Sequence, residues 1–267
     1  MSQVGSRAEG HSRVSRPLRL LLPVAFAAAL LGLWWMVTAA EVVSPVLLPS
    51  PSEVVAALVR EPADLAQHAW ATFLETVIGF GIAALLGTAG GALIASSRVV
   101  EATFNPFLVA FNAVPKVALA PLLVVWLGFS QAPKIVMVIL VCFFPIVLAT
   151  ATGLKTTPAD LVELARSLRA TRWQTMVKVR LPAAMPQVFL GLKAALPLAV
   201  VGAVLGELIG AVEGLGFVVT MSGATSDIAL AFAAISILAV MSVVLYYALV
   251  LAERLALPWV VETTSRQ

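Results

Sequence analysis

Residues 154–182 read LKTTPADLVELARSLRATRWQTMVKVRLP, a polar and basic stretch between two apolar segments that are each long enough to cross a bilayer. Its run Thr157-Pro158-Ala159-Asp160 is typical of a helix start, with Thr157 as N-cap and Pro158 at the first helical position. Thr171 and Gln174 have capping-box spacing, which predicts a second helix that must stop before Pro182. The stretch therefore predicts two short helices joined by a tight turn at the membrane surface.

One face of the first of these helices is apolar. Its members recur at i, i+3, i+4 and i+7, which places them on one side of a helix. They are Leu161, Leu164, Ala165 and Leu168. We expect this face to enter a groove on a cytoplasmic partner, with Glu163, Arg166 and Arg172 at the rim.

The composition of the whole chain is that of an integral membrane protein. Of its 267 residues 61% are hydrophobic and 12% are charged, and the mean hydropathy is +1.01, so too little polar surface exists to cover a soluble globule. Apolar stretches of about 20 residues, the length that crosses a bilayer, occur six times. They are Leu18–Thr38, Ala71–Ala95, Pro106–Leu127, Ile135–Thr152, Met185–Ile209 and Leu230–Leu251. The sequence thus predicts an all-α polytopic protein with six transmembrane helices.

The first apolar stretch has a competing interpretation as a cleavable signal peptide, because Arg13, Arg16 and Arg19 precede it. Its apolar run is longer than a typical signal core, and Trp34 and Trp35 stand at its outer end, where interfacial aromatics belong. We therefore expect it to remain as a transmembrane helix.

The predicted organisation follows from these spans. Residues 1–17 form an N-terminal tail, 18–40 the first span, 41–70 an outside segment with a short interfacial helix from Ser52 to Arg60, 71–258 a five-helix core that includes 154–182, and 259–267 a C-terminal tail. Most Lys and Arg residues fall on one side if six spans alternate, so both termini and residues 154–182 are expected to be cytoplasmic. This topology also accounts for the net charge of +3 better than nucleic-acid binding does.

Residues in 154–182 also carry a resemblance to a known family. Glu163, Ala165, Val179 and Leu181-Pro182 stand at the spacing of the EAA loop: Glu-Ala-Ala, three residues, Gly, nine residues, Ile, one residue, Leu-Pro. The chain therefore resembles permease subunits of ATP-binding cassette importers, in the binding-protein-dependent branch that handles nitrate, sulfonates, taurine, bicarbonate and thiamine-precursor pyrimidines. Support comes from 114–122 with Trp126 and Gly128, and from 206–209 followed by Gly214-Leu215-Gly216.

The resemblance, which covers roughly residues 45–258, implies a type I importer permease of MetI-like architecture in the cytoplasmic membrane of a prokaryote. It implies a homodimer, two copies of a cytoplasmic ATPase that bind the ATP and Mg, and an outside substrate-binding protein. The ligand would be a small anion or a vitamin-like molecule such as a pyrimidine precursor or a flavin. The residues expected to couple to the ATPase are Leu161, Glu163, Leu164, Ala165, Leu168, Arg169, Arg172, Leu181 and Pro182.

Arg169 departs from the family pattern, which has Gly at this position. That Gly ends the first helix in a left-handed conformation, in which a residue with a Cβ is strained by roughly 1 kcal/mol or more. Either the turn has another shape here, or Arg169 accepts the strain.

Ionisable residues within the predicted spans are candidates for the translocation pathway, because burying a charge in a bilayer is costly. Lys116 lies between Pro115 and Pro121, prolines that predict a cavity-lining bend, and Trp126 follows. Glu207 either lines an exit or caps the turn at Gly210, and Lys116 alternatively pairs with Glu207 or reaches a polar cavity. The pathway candidates are Lys116, Pro121, Trp126 and Glu207. Lys193 is expected to extend to water along apolar surface.

Glycines recur every four residues near the fifth span, at Gly202, Gly206, Gly210 and Gly214. They predict a helix face that another backbone approaches closely, either within the subunit or at the dimer seam. The chain shows no catalytic, metal-binding or phosphate-binding motif, so we expect no enzyme activity and no cofactor of its own. An ion-coupled secondary transporter and a non-transporting scaffold subunit remain alternatives to the importer.

Overall fold

The computed structural model describes residues 16–44 and 47–259, and the regular structure in that part of the chain is helical. In chain order the helices are α1 (Arg16–Ala39), α2 (Pro51–Arg60), α3 (Pro62–Ser96), α4 (Arg98–Ala113), α5 (Ala120–Leu127), α6 (Ala132–Lys155), α7 (Ala159–Ser167), α8 (Arg172–Thr175), α9 (Leu181–Glu207), α10 (Leu215–Thr225) and α11 (Ile228–Ala256). The all-α prediction is confirmed. Pro45 of the outside segment, most of the predicted N-terminal tail and all but Trp259 of the C-terminal tail lie outside the described residues.

The centre of the fold is α6, which packs between α3 and α9. Its buried Val138, Cys142 and Ile146 meet Ala83 of α3 and small residues of α9. Glycines permit this close approach: a Cβ on Gly202 would lie 2.9 Å from the Cα of Val138, nearer than two carbon atoms pack. The three helices therefore form one closely packed unit around which the others are arranged.

The four glycines predicted on one helix face do not share one role. Those on α9, Gly202 and Gly206, lie against Val138 and Lys134 of α6 in the same chain. These two glycines therefore pack within the subunit, and a part of this glycine series in the dimer seam stays a prediction. Gly210 and Gly214 lie beyond the end of α9, and both have positive φ. The predicted face does not reach them because the helix ends at Glu207.

The third predicted span is broken. A 78° bend separates α4 from the single 3₁₀ turn Lys116–Leu119 and the following α5. The break falls where Pro115 forces Val114 out of the helical conformation, to ψ 127°. No residue of α4 is buried. The bend predicted from the prolines is therefore present.

Four helical segments in the described part of the chain are long and apolar enough to cross a membrane: α3, α6, α11 and the segment Arg172–Glu207. The bent α4–α5 pair makes a fifth if it crosses as one span. The first predicted span corresponds to α1, of which Val24–Ala39 is a shorter apolar helix. The structure thus describes a multi-pass protein with four or five spans of full length, against the six predicted.

The helix of the predicted outside segment, α2, begins earlier than the sequence indicated. Its N-cap is Ser50 rather than Ser52, because Pro51 takes the first helical position. The Ser50 N–H donates to Glu53 Oε2 at 2.7 Å, and the Glu53 N–H donates to Ser50 Oγ at 3.3 Å. Val54 and Ala57 then bury α2 against Ala233 of α11.

An ion pair joins the end of α2 to the start of α11. The Arg60 guanidinium donates to Asp227 Oδ2 at 2.5 Å, and Asp227 also accepts from the Leu230 N–H at 3.1 Å as the N-cap of α11. The hydrogen bond from Arg60 holds the pKa of the Asp227 carboxyl below its usual value.

Candidate functional site

The two short helices of residues 154–182 are present as α7 and α8, and they present leucines to the surroundings. Leu161, Leu164 and Leu168 are 43%, 59% and 74% exposed, whereas Ala165 is buried together with Val162. The predicted apolar face is therefore divided: Ala165 packs inward, and the three leucines form an outward row, here called the leucine ridge. Exposed leucines at helical spacing on a short helix are typical of a docking surface.

The turn after α7 is closed by a Schellman motif with Arg169 in the position usually held by glycine. The Ala170 N–H donates to Ala165 O at 3.0 Å, and the Arg169 N–H donates to Arg166 O at 2.9 Å. Arg169 has φ 55°, the left-handed conformation that costs a residue with a Cβ roughly 1 kcal/mol or more. Of the two alternatives raised by the sequence, the usual turn is kept and Arg169 accepts the strain.

The predicted helix starts are half right. The Thr171 capping box is confirmed, with its N–H donating to Gln174 Oε1 at 2.8 Å and Gln174 N–H donating to Thr171 Oγ1 at 3.2 Å. Thr157 is not an N-cap: its hydroxyl donates back to Leu154 O at 3.1 Å, and Pro158 precedes the first residue of α7. The start shifts by one residue because Pro158, with ψ 132°, is extended rather than helical.

The sequence predicts that the second helix stops before Pro182, but in the structure the helix continues past it. A π turn, Met176–Arg180, carries α8 into α9, and the Leu181 N–H donates to Met176 O, five residues back. A wider turn accommodates a proline that lacks an N–H and would crowd the carbonyl of an ordinary α-turn. Leu181 and Pro182 are accordingly half-buried within a continuous helix, and their coupling role stays a prediction.

Lys116 stands in the bend between α4 and α5. Its Nζ donates to Asn112 Oδ1 at 3.0 Å and to Asn112 O at 3.3 Å, and it makes no pair with Glu207, which was one of the open alternatives. Pro121 and the exposed Trp126 follow on α5. Their part in a pathway stays a prediction.

Glu207, the last residue of α9, is buried and caps the start of α10. Its carboxylate accepts from Thr72 Oγ1 at 2.6 Å and from the Gly216 N–H at 2.6 Å. A Cβ on Gly214, which has φ 113°, would lie 2.3 Å from Glu207 Oε1. Only glycine fits beside the carboxylate at that point. Glu207 therefore caps a turn as the second interpretation held, but at α10 rather than at Gly210.

A buried ion pair beside Glu207 was missed by the sequence analysis. Lys134 of α6 donates to Glu75 Oε1 of α3 at 2.8 Å and to Glu213 O at 3.3 Å, and both Lys134 and Glu75 are buried. Glu75 lies inside the second predicted span, so the rule that selected Lys116 and Glu207 would have found it. Lys134 precedes the fourth predicted span by one residue, so a search for ionisable residues within the spans does not reach it.

Lys193 has a carboxylate partner that the sequence analysis did not predict. Its Nζ donates to both carboxylate oxygens of Glu253 on α11, at 3.0 and 2.8 Å. The two residues are distant in sequence, and their pairing depends on α9 and α11 running side by side.

Comparison with known proteins identifies relatives along most of the chain. Residues 83–258 match the family model described as binding-protein-dependent transport system inner membrane component. A probable ABC transporter permease protein of Haemophilus influenzae is 38% identical over 87% of this chain and 95% of its own. The formylaminopyrimidine transport permease protein ThiX of Halalkalibacterium halodurans is 34% identical over 92% and 98%.

A third relative, the taurine transport system permease protein TauC of Escherichia coli, is 30% identical over 90% of each chain. Among solved structures, a chain of the inward-facing MetNI methionine ABC transporter superposes with a TM-score of 0.63 at 22% identity, over 76% of this chain and 98% of that one. The structural likeness shows that the two chains share a fold.

Proposed function

Since the chain belongs to the family of binding-protein-dependent transport system inner membrane components, the permease subunits of ATP-binding cassette importers, we propose that it works as a homodimer that carries solute inward. In this assembly two cytoplasmic ATPases hold the ATP and Mg, and a separate binding protein delivers the solute from outside. The chain itself provides the path across the membrane and the surface on which the ATPase docks and transmits its conformational change.

The leucine ridge is the observation that carries this proposal. Three leucines that are about half to three-quarters exposed leave apolar surface uncovered at a place held rigid by a Schellman motif and a capping box. Burial of such a side chain stabilises an interface by roughly 1.5–3 kcal/mol at most. A groove on the ATPase would gain that contact, and Glu163 at the edge of the ridge would lie at its rim.

The substrate we propose is a small anion or a vitamin-like nitrogen heterocycle. One relative is named for formylaminopyrimidine and another for taurine, at similar identity to this chain. Lys116 supports a solute with negative charge, because within the described residues its ammonium is held only by Asn112 and pairs with no carboxylate. A cation in a bent, half-exposed segment attracts an anion more than a neutral ring.

The coupling proposal is tested by co-purifying the full chain with its genetically linked ATPase in lipid nanodiscs and measuring ATP hydrolysis. We expect Leu164→Asp to abolish association, because it places a charge at the centre of the leucine ridge, which the ATPase would bury. The matched variant Leu164→Met keeps an apolar side chain of similar volume and should retain association. Equal association by Leu164→Asp, with an unchanged thermal midpoint, would overturn the docking role.

The substrate proposal is tested by uptake into vesicles of labelled taurine and labelled formylaminopyrimidine, each with its binding protein. Lys116→Met should slow the uptake of taurine, which carries a sulfonate group, more than that of formylaminopyrimidine, which carries none, if the lysine faces the path. Uptake driven by an ion gradient without the ATPase would instead support a secondary transporter, and the absence of any solute-dependent ATP hydrolysis would support a scaffold subunit.

A further inference from the structure

Two cavities adjoin at the end of the molecule where α3 ends and α4 begins. One has a volume of about 870 Å³ and lies between α3 and the α7–α8 pair, and the other has a volume of about 460 Å³ and lies beside the start of α4. Ser96, Arg166 and Arg180 line both cavities. The two are therefore treated as one concave surface, here called the basic groove.

The charge of the basic groove is strongly one-sided. Its lining carries five cationic side chains, Arg98, Lys155, Arg166, Arg172 and Arg180, and a single carboxylate, Glu101. That carboxylate is engaged by Lys155 at 2.6 Å. Within residues 16–44 and 47–259, none of the four arginines forms an ion pair. Like charges that converge on a concave surface repel one another, so the groove favours an anionic occupant.

Part of the groove is lined by apolar side chains. Ala89, Ala92 and Leu93 lie on the last turns of α3 and form an apolar wall there. Val162, Trp173 and Met176 line the groove from the segments that also carry Arg166, Arg172 and Arg180. Because α3 is long and apolar enough to cross the membrane, this wall continues into the hydrocarbon region. Trp173 is 75% exposed, and an exposed tryptophan at this level is typical of the membrane interface.

We propose that the basic groove binds an anionic phospholipid, with its phosphate among Arg98, Arg166 and Arg180 and an acyl chain along Ala92 and Leu93. Arginine suits this role because its planar guanidinium donates two parallel hydrogen bonds to phosphate oxygens. A free anion would leave the apolar wall uncovered, and a zwitterionic lipid would leave the arginines uncompensated. The groove lies on the inner side of α7, whereas the leucine ridge lies on its outer side, so lipid and ATPase would occupy different faces.

The test uses the purified full chain in nanodiscs of phosphatidylcholine into which phosphatidylglycerol with brominated acyl chains is titrated. Bromine quenches nearby tryptophan fluorescence, and the contribution of Trp173 is the difference between the wild type and Trp173→Phe. We expect quenching of Trp173 to saturate at a low fraction of phosphatidylglycerol. Arg98→Gln/Arg180→Gln should require about tenfold more of it, since each cation near an anionic lipid contributes appreciably to binding.

Two further variants separate charge from folding. Arg98→Lys/Arg180→Lys keeps the charges and should retain most of the preference, while Arg254→Gln removes an exposed cation outside the groove and should leave the titration unchanged. Inorganic phosphate at millimolar concentration should not relieve the quenching, because it offers no acyl chain. Relief by phosphate would show that the anionic group alone accounts for binding and that the acyl chain adds nothing, which would overturn the lipid proposal in favour of a free-anion site.

Two other outcomes would also overturn the proposal. One is equal quenching by brominated phosphatidylcholine and brominated phosphatidylglycerol in the wild type. The other is shielding of Trp173 from a water-soluble quencher by the ATPase, with no dependence on the lipid, which would make the groove part of a protein interface.

Discussion

Lys134 on α6 and Glu75 on α3 form an ion pair, with the Nζ and Oε1 atoms 2.8 Å apart and both side chains almost entirely buried. Thr72, one turn before Glu75, donates to Glu207 at 2.6 Å and accepts from the Leu215 N–H at 2.8 Å. The pair is thus one part of a polar cluster that joins α3, α6, α9 and the start of α10. Buried charges of this kind are stable only while each has its partner.

Loss of one partner should therefore cost more than loss of both. We expect Lys134→Met to lower the free energy of unfolding by about 3 kcal/mol, because Glu75 is left buried without a cation. The double variant Glu75→Gln/Lys134→Met should recover most of the unfolding free energy that Lys134→Met loses. Thermal unfolding in detergent measures both, and the partly exposed pair of Lys193 and Glu253 serves as a control, since Lys193→Met should cost about 1 kcal/mol or less. Additive losses in the double variant would argue against a coupled pair.

A methyl group at Gly206 should separate α9 from α6. The Cβ of Gly206→Ala would lie 2.7 Å from the Cα of Lys134, and a backbone atom cannot give way as a side chain does. We expect a loss of about 1–3 kcal/mol in unfolding free energy. Gly81→Ala on α3, where a Cβ would meet nothing within 4 Å, should be neutral or stabilise the helix by up to about 1 kcal/mol. Similar midpoints for the two variants would contradict the close packing.

Arg169→Gly should relieve the strain of the left-handed turn after α7. We expect a gain of about 1 kcal/mol in local stability, with ATPase-coupled transport kept or improved, and hydrogen exchange at Arg166–Ala170 reports the gain. Arg169→Ala removes the guanidinium but keeps the Cβ, so it should not show the gain. Complete loss of transport in both variants would show that the guanidinium itself is needed.

The contact between Arg60 and Asp227 should depend on pH. Because the pKa of Asp227 is lowered in the folded chain, its contribution to stability is full above the unfolded value of about 3.9 and is lost as pH falls through the lower folded value. The difference in thermal midpoint between wild type and Asp227→Asn should therefore shrink as pH is taken from 6 towards about 3. Asp227→Asn still caps α11, which isolates the ion pair from the cap. A difference that does not change with pH would exclude this pair as the cause.

Local chemistry made much of the fold predictable. The Thr171 capping box, the bend beside Pro115 and the long apolar spans each depend on residues that are close in sequence, and the structure contains the box, the bend and four or five of the six predicted spans at full length. The EAA spacing led to the right family through residues of a single loop. These features depend on a few neighbouring side chains and the backbone, so no knowledge of distant contacts is needed to infer them.

What was missed depends on residues far apart in the chain. The partners of Lys134 and Lys193 are 59 and 60 positions away, and periodicity within one helix cannot indicate them. The glycine series was extended past Glu207 because spacing alone does not reveal where a helix ends. The sequence predicts a helix stop before Pro182 because a π turn has no sequence signature as plain as a cap. The candidate pathway is the feature least predictable from the sequence, since its lining would come from several helices.

The π turn before Pro182 makes Arg172–Glu207 a single rod of 36 residues, roughly 54 Å long at 1.5 Å per residue. Its first residues stand beside the leucine ridge, and its last residue is fixed by hydrogen bonds to Thr72 and Gly216. Between these ends, Gly191, Gly202 and Gly206 allow the helix to pack closely against α6. Lys134 of α6 in turn pairs with Glu75 of α3. The helix therefore connects the surface beside α7 with the buried contacts of Thr72 and Gly216 without a break in its helical structure, although Pro186 and Pro197 lie within it.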